Sequence, residues 1–212
     1  MNGCQCKGIE TQFNKQYVYS ELSRYRKKGP SKTTGLLVNA LKAQNIEGKT
    51  ILDIGGGIGT IQHELLKAGA KQTVAVEAST AAISAAQEEA ARQGHADQIS
   101  FKHGNFVDLA ADIPSADIVT LDRVICCYHD MRALVSLSTA HAAELYGLVY
   151  PRANWWIKTA FAIQNFVFRL RGNPFRIFVH PIEEVETIIS HAGLKRRYYA
   201  QTFLWQVVVF GR

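Results

Sequence analysis

Residues 51–60 read Ile-Leu-Asp-Ile-Gly-Gly-Gly-Ile-Gly-Thr, and residues 73–77 read Thr-Val-Ala-Val-Glu. The first stretch predicts a short buried strand that runs into a glycine-rich turn and a helix, and the second predicts the next strand. Glycines let the backbone turn sharply and let a ligand approach without a Cβ in its way. The carboxylate of Glu77, at the tip of the second strand, can accept two hydrogen bonds from a ribose diol. The pattern is typical of a nucleoside-binding β-turn-α-β unit.

The glycine spacing and a nearby acid distinguish between nucleoside cofactors. A dinucleotide fingerprint is Gly-x-Gly-x-x-Gly, whereas this chain has Gly55-x-Gly57-x-Gly59 and carries Thr60 at the last position of that fingerprint. Asp53 precedes the first glycine by two residues, where its carboxylate would repel a pyrophosphate and would suit an ammonium or sulfonium group. S-adenosylmethionine has a ribose, both of these cations and no phosphate.

At these residues the chain resembles the class I S-adenosylmethionine-dependent methyltransferases, whose first motif is an acid, an apolar residue and Gly-x-Gly-x-Gly. The resemblance implies that Asp53 orients the amino group of the cofactor, that Glu77 holds the ribose hydroxyls and that Ala78 packs on the adenine. It implies transfer of a methyl group and release of S-adenosylhomocysteine. The loop beneath the methionine part of the cofactor would be formed by Gly55, Gly56, Gly57 and Gly59.

The segment His103-Gly104-Asn105-Phe106 follows the third predicted strand and looks like the third motif of that family. In the family an acid accepts a hydrogen bond from the adenine amino group at this position, and this chain has Asn105 instead. The amide oxygen of Asn105 can accept the same bond, and its NH2 group can donate to a ring nitrogen. Phe106 is predicted either to stack on the adenine or to pack in the core.

The family places the transferred methyl group and the acceptor beside the loop after strand four, here Asp122 to Asp130. His129 is the candidate general base, because imidazole can take up a proton near neutral pH, and Tyr128 would orient an acceptor oxygen. Asp122 is predicted to line the cofactor end of the pocket. Arg123 would either bind an acidic group of the acceptor or pair with Asp122. A surface role for His129 is the alternative, since alignment with an activated sulfonium can proceed without a base.

The same loop bears on the class of acceptor. It lacks the Asn-Pro-Pro-Tyr type sequence of amino-methylating nucleic-acid enzymes, which argues against N-methylation of adenine or cytosine, and a nucleic-acid partner is not predicted. Its order of apolar Val124-Ile125 and then Tyr128-His129 looks more like small-molecule methyltransferases and distantly resembles the magnesium-protoporphyrin methyltransferases. The implied partner is a small, partly apolar methyl acceptor. Nothing in the sequence predicts the oligomeric state.

An apolar insertion at about residues 152–178 separates the fifth predicted strand from the last helix. Trp155 and Trp156 lie at its start and are predicted to line the substrate pocket. A transmembrane span needs about 20 mainly apolar residues, and polar side chains interrupt this segment. Three interpretations stay open: a lid helix over an apolar pocket, a core helix, or a membrane-surface helix with basic flanks. The interrupting residues are Lys158, Gln164, Asn165 and Arg169.

Length and the order of elements predict the architecture. A chain of 212 residues with 47% hydrophobic residues can form a complete core, so residues 1–212 are predicted to be a single methyltransferase domain. Residues 1–49 would be a helical cap, with a loose tail over residues 1–10, and residues 50–212 the catalytic core. Alternating strands and helices, among them a helix over about Met131 to Glu144 and a fifth strand over Tyr146 to Tyr150, predict a Rossmann-like, doubly wound α/β fold in three layers. The resemblance implies a seven-stranded, mostly parallel sheet with one antiparallel C-terminal strand between its neighbours.

Charge and cysteine usage exclude several classes. The formal net charge of +6 is interpreted as a solvated surface, because no basic and aromatic interleaving accompanies it, and a nucleic-acid or anionic-membrane surface is the alternative. The four cysteines occur as Cys4-x-Cys6 and Cys126-Cys127, which is not the spacing of a zinc site, so no metal is predicted. Reduced thiols and the lack of a secretory h-region after Met1 indicate a cytoplasmic protein.

Two other functional classes are compatible with a nucleoside-binding unit. A nicotinamide-dependent oxidoreductase is disfavoured by Asp53 and by Thr60. A non-catalytic module that binds S-adenosylmethionine or RNA on the same fold is the second alternative. Arg24 and Tyr25, near the end of the amino-terminal helix, are candidates to close over the cofactor carboxylate, with surface and core roles as the alternative.

Overall fold

The predicted strands assemble into a seven-stranded sheet in the computed structural model, which describes residues 3–212. The order across the sheet is β3-β2-β1-β4-β5-β7-β6. The first five strands are parallel, and β7 is antiparallel to both of its neighbours, β5 and β6. The predicted fold, including the inserted antiparallel strand, is confirmed. The strands are β1 (Thr50–Ile54), β2 (Gln72–Glu77), β3 (Ile99–His103), β4 (Ala116–Asp122), β5 (Ala142–Pro151), β6 (Lys195–Gln201) and β7 (Trp205–Gly211).

Helices cover both faces of this sheet. Side-chain caps mark several of their starts: Ser79 accepts a hydrogen bond from the backbone N–H of Ala82, 3.1 Å away, as expected of an N-cap serine. The α-helices are α1 (Gly3–Gln12), α2 (Lys15–Lys28), α3 (Lys32–Lys42), α4 (Thr60–Leu66), α5 (Thr80–Gln93), α6 (Phe106–Leu109), α7 (Met131–Ala140), α8 (Trp155–Leu170) and α9 (Ile182–His191).

The core lies in two layers, one on each side of the sheet. Successive side chains of a strand point to opposite faces, so Ile51 packs with residues of α3 and α4, whereas Leu52 packs with residues of α7 and α9. Because both faces are covered, the central strands β1 and β4 are buried along most of their length rather than at alternate positions. The three-layer arrangement follows directly from this pattern.

The strand order reverses at β1, which lies between β2 and β4. In open parallel sheets, ligands bind in the crevice beyond the carboxyl ends of the strands at such a switch point. The glycine-rich turn follows β1, Glu77 ends β2 and Asp122 ends β4. The fold therefore brings the predicted site residues to one edge of the sheet.

Two local predictions are wrong. Residues 3–10, predicted to be a loose tail, belong to the helix α1, while residues 1–2 and the side chains of Cys4 and Cys6 lie outside the described residues. The helix predicted for about residues 131–144 ends at Ala140, because residues from Ala142 onward pair with β4 and are largely buried there. Burial in the sheet overrides the helix propensity of this alanine-rich and leucine-rich stretch.

Candidate functional site

A cavity of about 480 Å³ opens at the switch point of the sheet. Its lining includes the glycine-rich turn and Glu77, called here the cofactor end, and aromatic side chains from α8 and the segment after it, called here the aromatic end. Its size lies within the range of about 300–1,000 Å³ that is typical of small-molecule sites. The cavity is thus large enough for an extended ligand that reaches from the sheet edge to the aromatic end.

The glycine-rich turn borders this cavity with bare backbone. Gly57 has φ +57°, and a Cβ added there would have no neighbour within 4 Å, so it would project into open space. A Cβ at Gly56 would instead stand 2.4 Å from Oδ2 of Asp53. Gly55, Gly56 and Gly57 line the cavity, whereas Gly59 begins α4 without lining it. The turn therefore needs glycine both for ligand space and for close packing on Asp53.

Asp53 is a buried side chain that packs against the glycine-rich turn at Gly56. Its side chain is 1% exposed and accepts hydrogen bonds from Oγ1 of Thr120 at 2.7 Å and from Nε2 of Gln62 at 3.0 Å. Burial raises the pKa of Asp53 to about 7, against the lowering effect of these two donors. Asp53 does not line the cavity. The structure thus places it behind the turn, and its contact with a cofactor amino group stays a prediction.

Glu77 lies at the nucleoside end with its carboxylate already fixed. Its Oε2 accepts from the backbone N–H of Gly57 at 2.9 Å, and its Oε1 accepts from those of Ala78 and Ser79 at 2.7 and 2.9 Å. Burial raises the pKa of Glu77, and the three N–H groups oppose that shift. Glu77 and Ala78 both line the cavity. A carboxylate held in this way is preorganised to accept from a diol.

Asn105 and Phe106 begin α6 and line the cavity. Oδ1 of Asn105 accepts from the backbone N–H of Val107 at 3.3 Å, and its Nδ2 donates to Oη of Tyr128 at 3.0 Å. The amide oxygen predicted to serve the adenine therefore caps the helix. Phe106 is 3% exposed and meets His141 edge to face, with 5.5 Å between ring centroids, so it is a core residue that also forms part of the cavity wall.

Asp122 and Arg123 form an ion pair at the end of β4. Arg123 donates from Nε to Oδ1 of Asp122 at 3.0 Å, and Thr34 donates from Oγ1 to Oδ2 at 2.5 Å. Arg123 has φ +62°, a left-handed conformation that no other non-glycine residue adopts among residues 3–212. Such strain is concentrated at functional sites. Both residues line the cavity, and the predicted pairing is present.

Tyr128 and His129 lie in different environments. Tyr128 is 7% exposed and lines the cavity, whereas His129 is exposed and does not line it. The two rings stack with centroids 5.5 Å apart. The structure thus corresponds to the surface alternative for His129 and gives no support to its predicted role as a general base.

The tryptophan pair of α8 is also outside the cavity. Trp155 is 78% exposed, and Trp156 packs on Phe203 with ring centroids 4.4 Å apart. The helix instead lines the cavity through Phe161, Gln164 and Phe168. The position of α8 fits the lid interpretation of the insertion, but the residues predicted to form its inner surface face elsewhere.

The amino-terminal helices supply cavity residues that the sequence analysis did not identify. Phe13, Tyr17 and Glu21 line the cavity. Tyr17 and Glu21 are four residues apart in α2 and so lie on one face of that helix, whereas Phe13 precedes it; the spacing within α2 was the available signal. Arg24 also lines the cavity and pairs with Glu21 at 2.8 Å. Tyr25 is buried and donates to Oε1 of Glu64 at 3.0 Å, which is the core role.

Residues 3–212 contain neither a cluster of metal-ligating side chains nor a helix able to span a membrane. Across residues 3–212, no group of three or more His, Cys, Asp or Glu side chains is arranged to hold a metal ion. None of the helices in this part of the chain combines the length and the apolar character needed to cross a bilayer.

Methyltransferases are among the known proteins that are similar to this chain in sequence. A sequence model described as a methyltransferase domain matches residues 51–143. Ribosomal protein L11 methyltransferase from Aliivibrio salmonicida is 29% identical over 133 residues, which are 59% of this chain and 42% of that protein. The chain therefore spans less than half the length of this curated relative.

Solved structures share the fold over nearly the whole chain. Magnesium protoporphyrin IX methyltransferase from Synechocystis PCC 6803 with bound S-adenosylhomocysteine superposes with a TM-score of 0.72 and 18% identity, covering 96% of this chain and 99% of that one. The same enzyme with bound S-adenosylmethionine gives a TM-score of 0.66 and 15% identity, covering 96% and 97%. The domain match and the shared fold confirm the resemblance to class I S-adenosylmethionine-dependent methyltransferases. The cofactor predicted from the sequence is the ligand of this solved enzyme.

Proposed function

We propose that this protein transfers a methyl group from S-adenosylmethionine to a small, partly apolar acceptor and releases S-adenosylhomocysteine. The observation that carries the proposal is the continuity of the cavity, which joins Glu77 at one end to Phe161 and Phe168 at the other. A cofactor bound at the sheet edge and an acceptor bound beneath α8 would share one enclosed space. Such an arrangement supplies the alignment that a methyl transfer needs.

The cofactor end fits a nucleoside that lacks phosphate. The carboxylate of Glu77 stands where ribose hydroxyls would donate to it, and the open side of Gly57 leaves room for the rest of the ligand. A pyrophosphate would be repelled by Glu77 and Asp122, which both line the cavity. When bound, S-adenosylmethionine supplies a methyl group activated by its sulfonium.

The acceptor end is apolar with a few polar groups. Phe161, Phe168 and Phe175 line it and would exclude water from the acceptor. Arg123 directs Nε to Asp122, and we propose that its terminal nitrogens bind an acidic group of the acceptor. Tyr128, held by Asn105, would orient an acceptor oxygen. No residue is assigned as a base, since positioning against a sulfonium provides much of the rate.

A protein acceptor is the second candidate, because the relatives are named for a ribosomal protein. The matched methyltransferase domain ends at residue 143, before α8 and the aromatic residues that follow it. The aromatic residues proposed to contact the acceptor therefore lie outside that match, whereas Arg123 and Tyr128 lie within it. The aromatic lining of the cavity supports a small, partly apolar molecule over a protein side chain.

Product formation tests the proposal. Release of S-adenosylhomocysteine is measured by mass spectrometry with wild type, Glu77→Gln and the control Glu88→Gln, against apolar carboxylic acids, phenols and alcohols, and against ribosomal proteins. Glu88 is an exposed residue of α5 that pairs with Arg26. We expect turnover with a small acceptor in wild type and in the control only. Turnover on protein alone would favour the second candidate, and cofactor binding without any turnover would favour a non-catalytic module.

A further inference from the structure

The outer side of α8 is an unusually apolar surface for a helix that faces solvent. Four large side chains on it are between 60% and 78% exposed, although large apolar side chains are mostly buried in folded domains. Contiguous exposed apolar patches mark interaction sites. The residues, called here the outer stripe, are Trp155, Ile163, Phe166 and Leu170.

The two faces of α8 have separate roles. At about 100° per residue, the outer stripe falls within one narrow sector of the helix. Phe161, Gln164 and Phe168 fall in the opposite sector and line the cavity. The exposure of the outer stripe is therefore not a consequence of a poorly packed helix, because the opposite face is in contact with the rest of the protein.

The charged side chains of α8 and of the segments that flank it in the sequence are all basic. The sequence contains no Asp or Glu between Glu144 and Glu183. Among the basic residues of this span, Lys158, Arg169 and Arg171 are exposed. The span as a whole contributes five positive charges, against a net charge of +6 for the chain, from Arg152, Lys158, Arg169, Arg171 and Arg176.

We propose that the outer stripe docks α8 in the plane of an anionic lipid surface. An apolar helical face with basic residues beside it is the pattern of interfacial helices, and tryptophan favours the boundary between headgroups and acyl chains. Anionic lipid attracts a polybasic segment. A second copy of this chain is a poorer occupant, because a two-fold contact would bring the same basic residues face to face.

Docking would place the cavity next to the lipid. Phe161 and Phe168 line the cavity from the inner face of the helix whose outer face carries Phe166. The inference does not depend on methyl transfer, and its test uses no turnover. Its failure would leave the proposed function standing.

Flotation with vesicles tests the inference on the full chain. The vesicles are either phosphatidylcholine alone or an equimolar mixture with phosphatidylglycerol, at low and at high salt. Wild type is expected to float with the anionic vesicles, to bind them less at high salt and to stay unbound with phosphatidylcholine alone.

Two double variants and a control locate the contact. Ile163→Ser with Phe166→Ser removes apolar area, and Arg169→Gln with Arg171→Gln removes charge. Each is expected to weaken vesicle binding by about tenfold or more. The control, Lys27→Gln with Lys28→Gln, makes the same charge change at exposed residues of α2 and should bind as wild type. Thermal melting shows whether each variant is folded, and the charge variant decides the outcome if the serine variant is not.

Three results would overturn the inference. One is a wild type that binds neither vesicle. Another is equal loss of binding in the charge variant and in the Lys27 and Lys28 control. The third is equal flotation of wild type with both kinds of vesicle. If wild type binds neither vesicle and forms a dimer in light scattering that dissociates in the Ile163 and Phe166 variant, the stripe belongs to a contact with a second copy.

Discussion

Asn105 donates a hydrogen bond from Nδ2 to Oη of Tyr128 over 3.0 Å and so joins the loop after β3 to the loop after β4. The two loops border the cavity from neighbouring sides. Tyr128→Phe removes the acceptor and leaves the amide without this partner, which should lower the free energy of unfolding by about 1 kcal/mol. Urea denaturation measures the change, with Tyr198→Phe on β6 as control. Equal stability of wild type and Tyr128→Phe would contradict this role for the bond.

Gly57→Ala is predicted to reduce cofactor binding more than stability. Its φ of +57° and that of Gly94, +74°, are both left-handed, and a Cβ at either would meet no neighbour within 4 Å. Both alanine variants should therefore lose about 1–2 kcal/mol of stability from backbone strain. Only the Cβ at residue 57 would occupy cavity space. Calorimetric titration with S-adenosylhomocysteine should show weaker binding for Gly57→Ala alone, and equal affinities would place the ligand elsewhere.

Because of Asp53, the free energy of unfolding is predicted to fall as pH rises. Burial raises its pKa in the folded state to about 7, above the unfolded value of about 3.9. The stabilisation is therefore fully present below the unfolded pKa and is lost as pH rises through the folded pKa. Wild type should lose about 3 kcal/mol more than Asp53→Asn between about pH 5 and about pH 8. Urea denaturation at both pH values measures this difference, and parallel pH profiles would show that Asp53 stays ionised.

Because of His63, the free energy of unfolding is predicted to fall as pH decreases. Burial, and next the charge of His95, lower its pKa to about 4, so the stabilisation is present above the unfolded pKa of about 6.5 and is lost as pH falls through about 4. The ring faces His95 at 3.0 Å between Nδ1 atoms, with Glu89, Lys67 and Glu64 as the charged groups around it.

Replacing His63 should reduce the loss in free energy of unfolding that occurs as pH falls. Wild type should lose about 2 kcal/mol more than His63→Gln between about pH 7 and about pH 5. His191→Gln, at an exposed residue of α9, is the control and should follow wild type. The measurement is urea denaturation at the two pH values, and an unchanged slope in His63→Gln would refute the assignment.

The inner face of α8 is predicted to select the acceptor. Phe168→Ala should raise the KM for a small acceptor about tenfold or more, because it removes apolar contact area, and should leave the affinity for S-adenosylhomocysteine unchanged. Trp155→Ala, in the same helix but 78% exposed, should have wild-type kinetics in solution without lipid. If Trp155→Ala impairs turnover and Phe168→Ala does not, the result would favour the prediction from the sequence that Trp155 lines the substrate pocket.

The sequence was sufficient for the sheet and for the positions of the glycine-rich turn and of Glu77 beside the cavity. Local patterns decide these parts: glycines that need positive φ, such as Gly57, and an acid at the end of a buried strand, Glu77. The start of β5 was missed because Ala142 is placed by pairing with Ala116 across the sheet, a contact that local propensity does not contain.

The acceptor end could be predicted only in outline. The insertion was recognised as apolar, but an apolar helix with two apolar faces gives no sign of which face is inward. Phe168 and Trp155 are therefore indistinguishable by composition, and tertiary packing alone separates them. His129 illustrates the same limit, since its neighbour Tyr128 lines the cavity and it does not.

Calorimetric titration with S-adenosylmethionine tests the central claim most directly. Wild type and the control Glu88→Gln should bind with micromolar affinity, and Glu77→Gln should bind about a hundredfold more weakly, because a charged acceptor of the ribose hydroxyls is removed. Thermal melting confirms that the variant is folded. Absence of binding by wild type, or equal binding by Glu77→Gln, would contradict the assignment of this cavity to the cofactor.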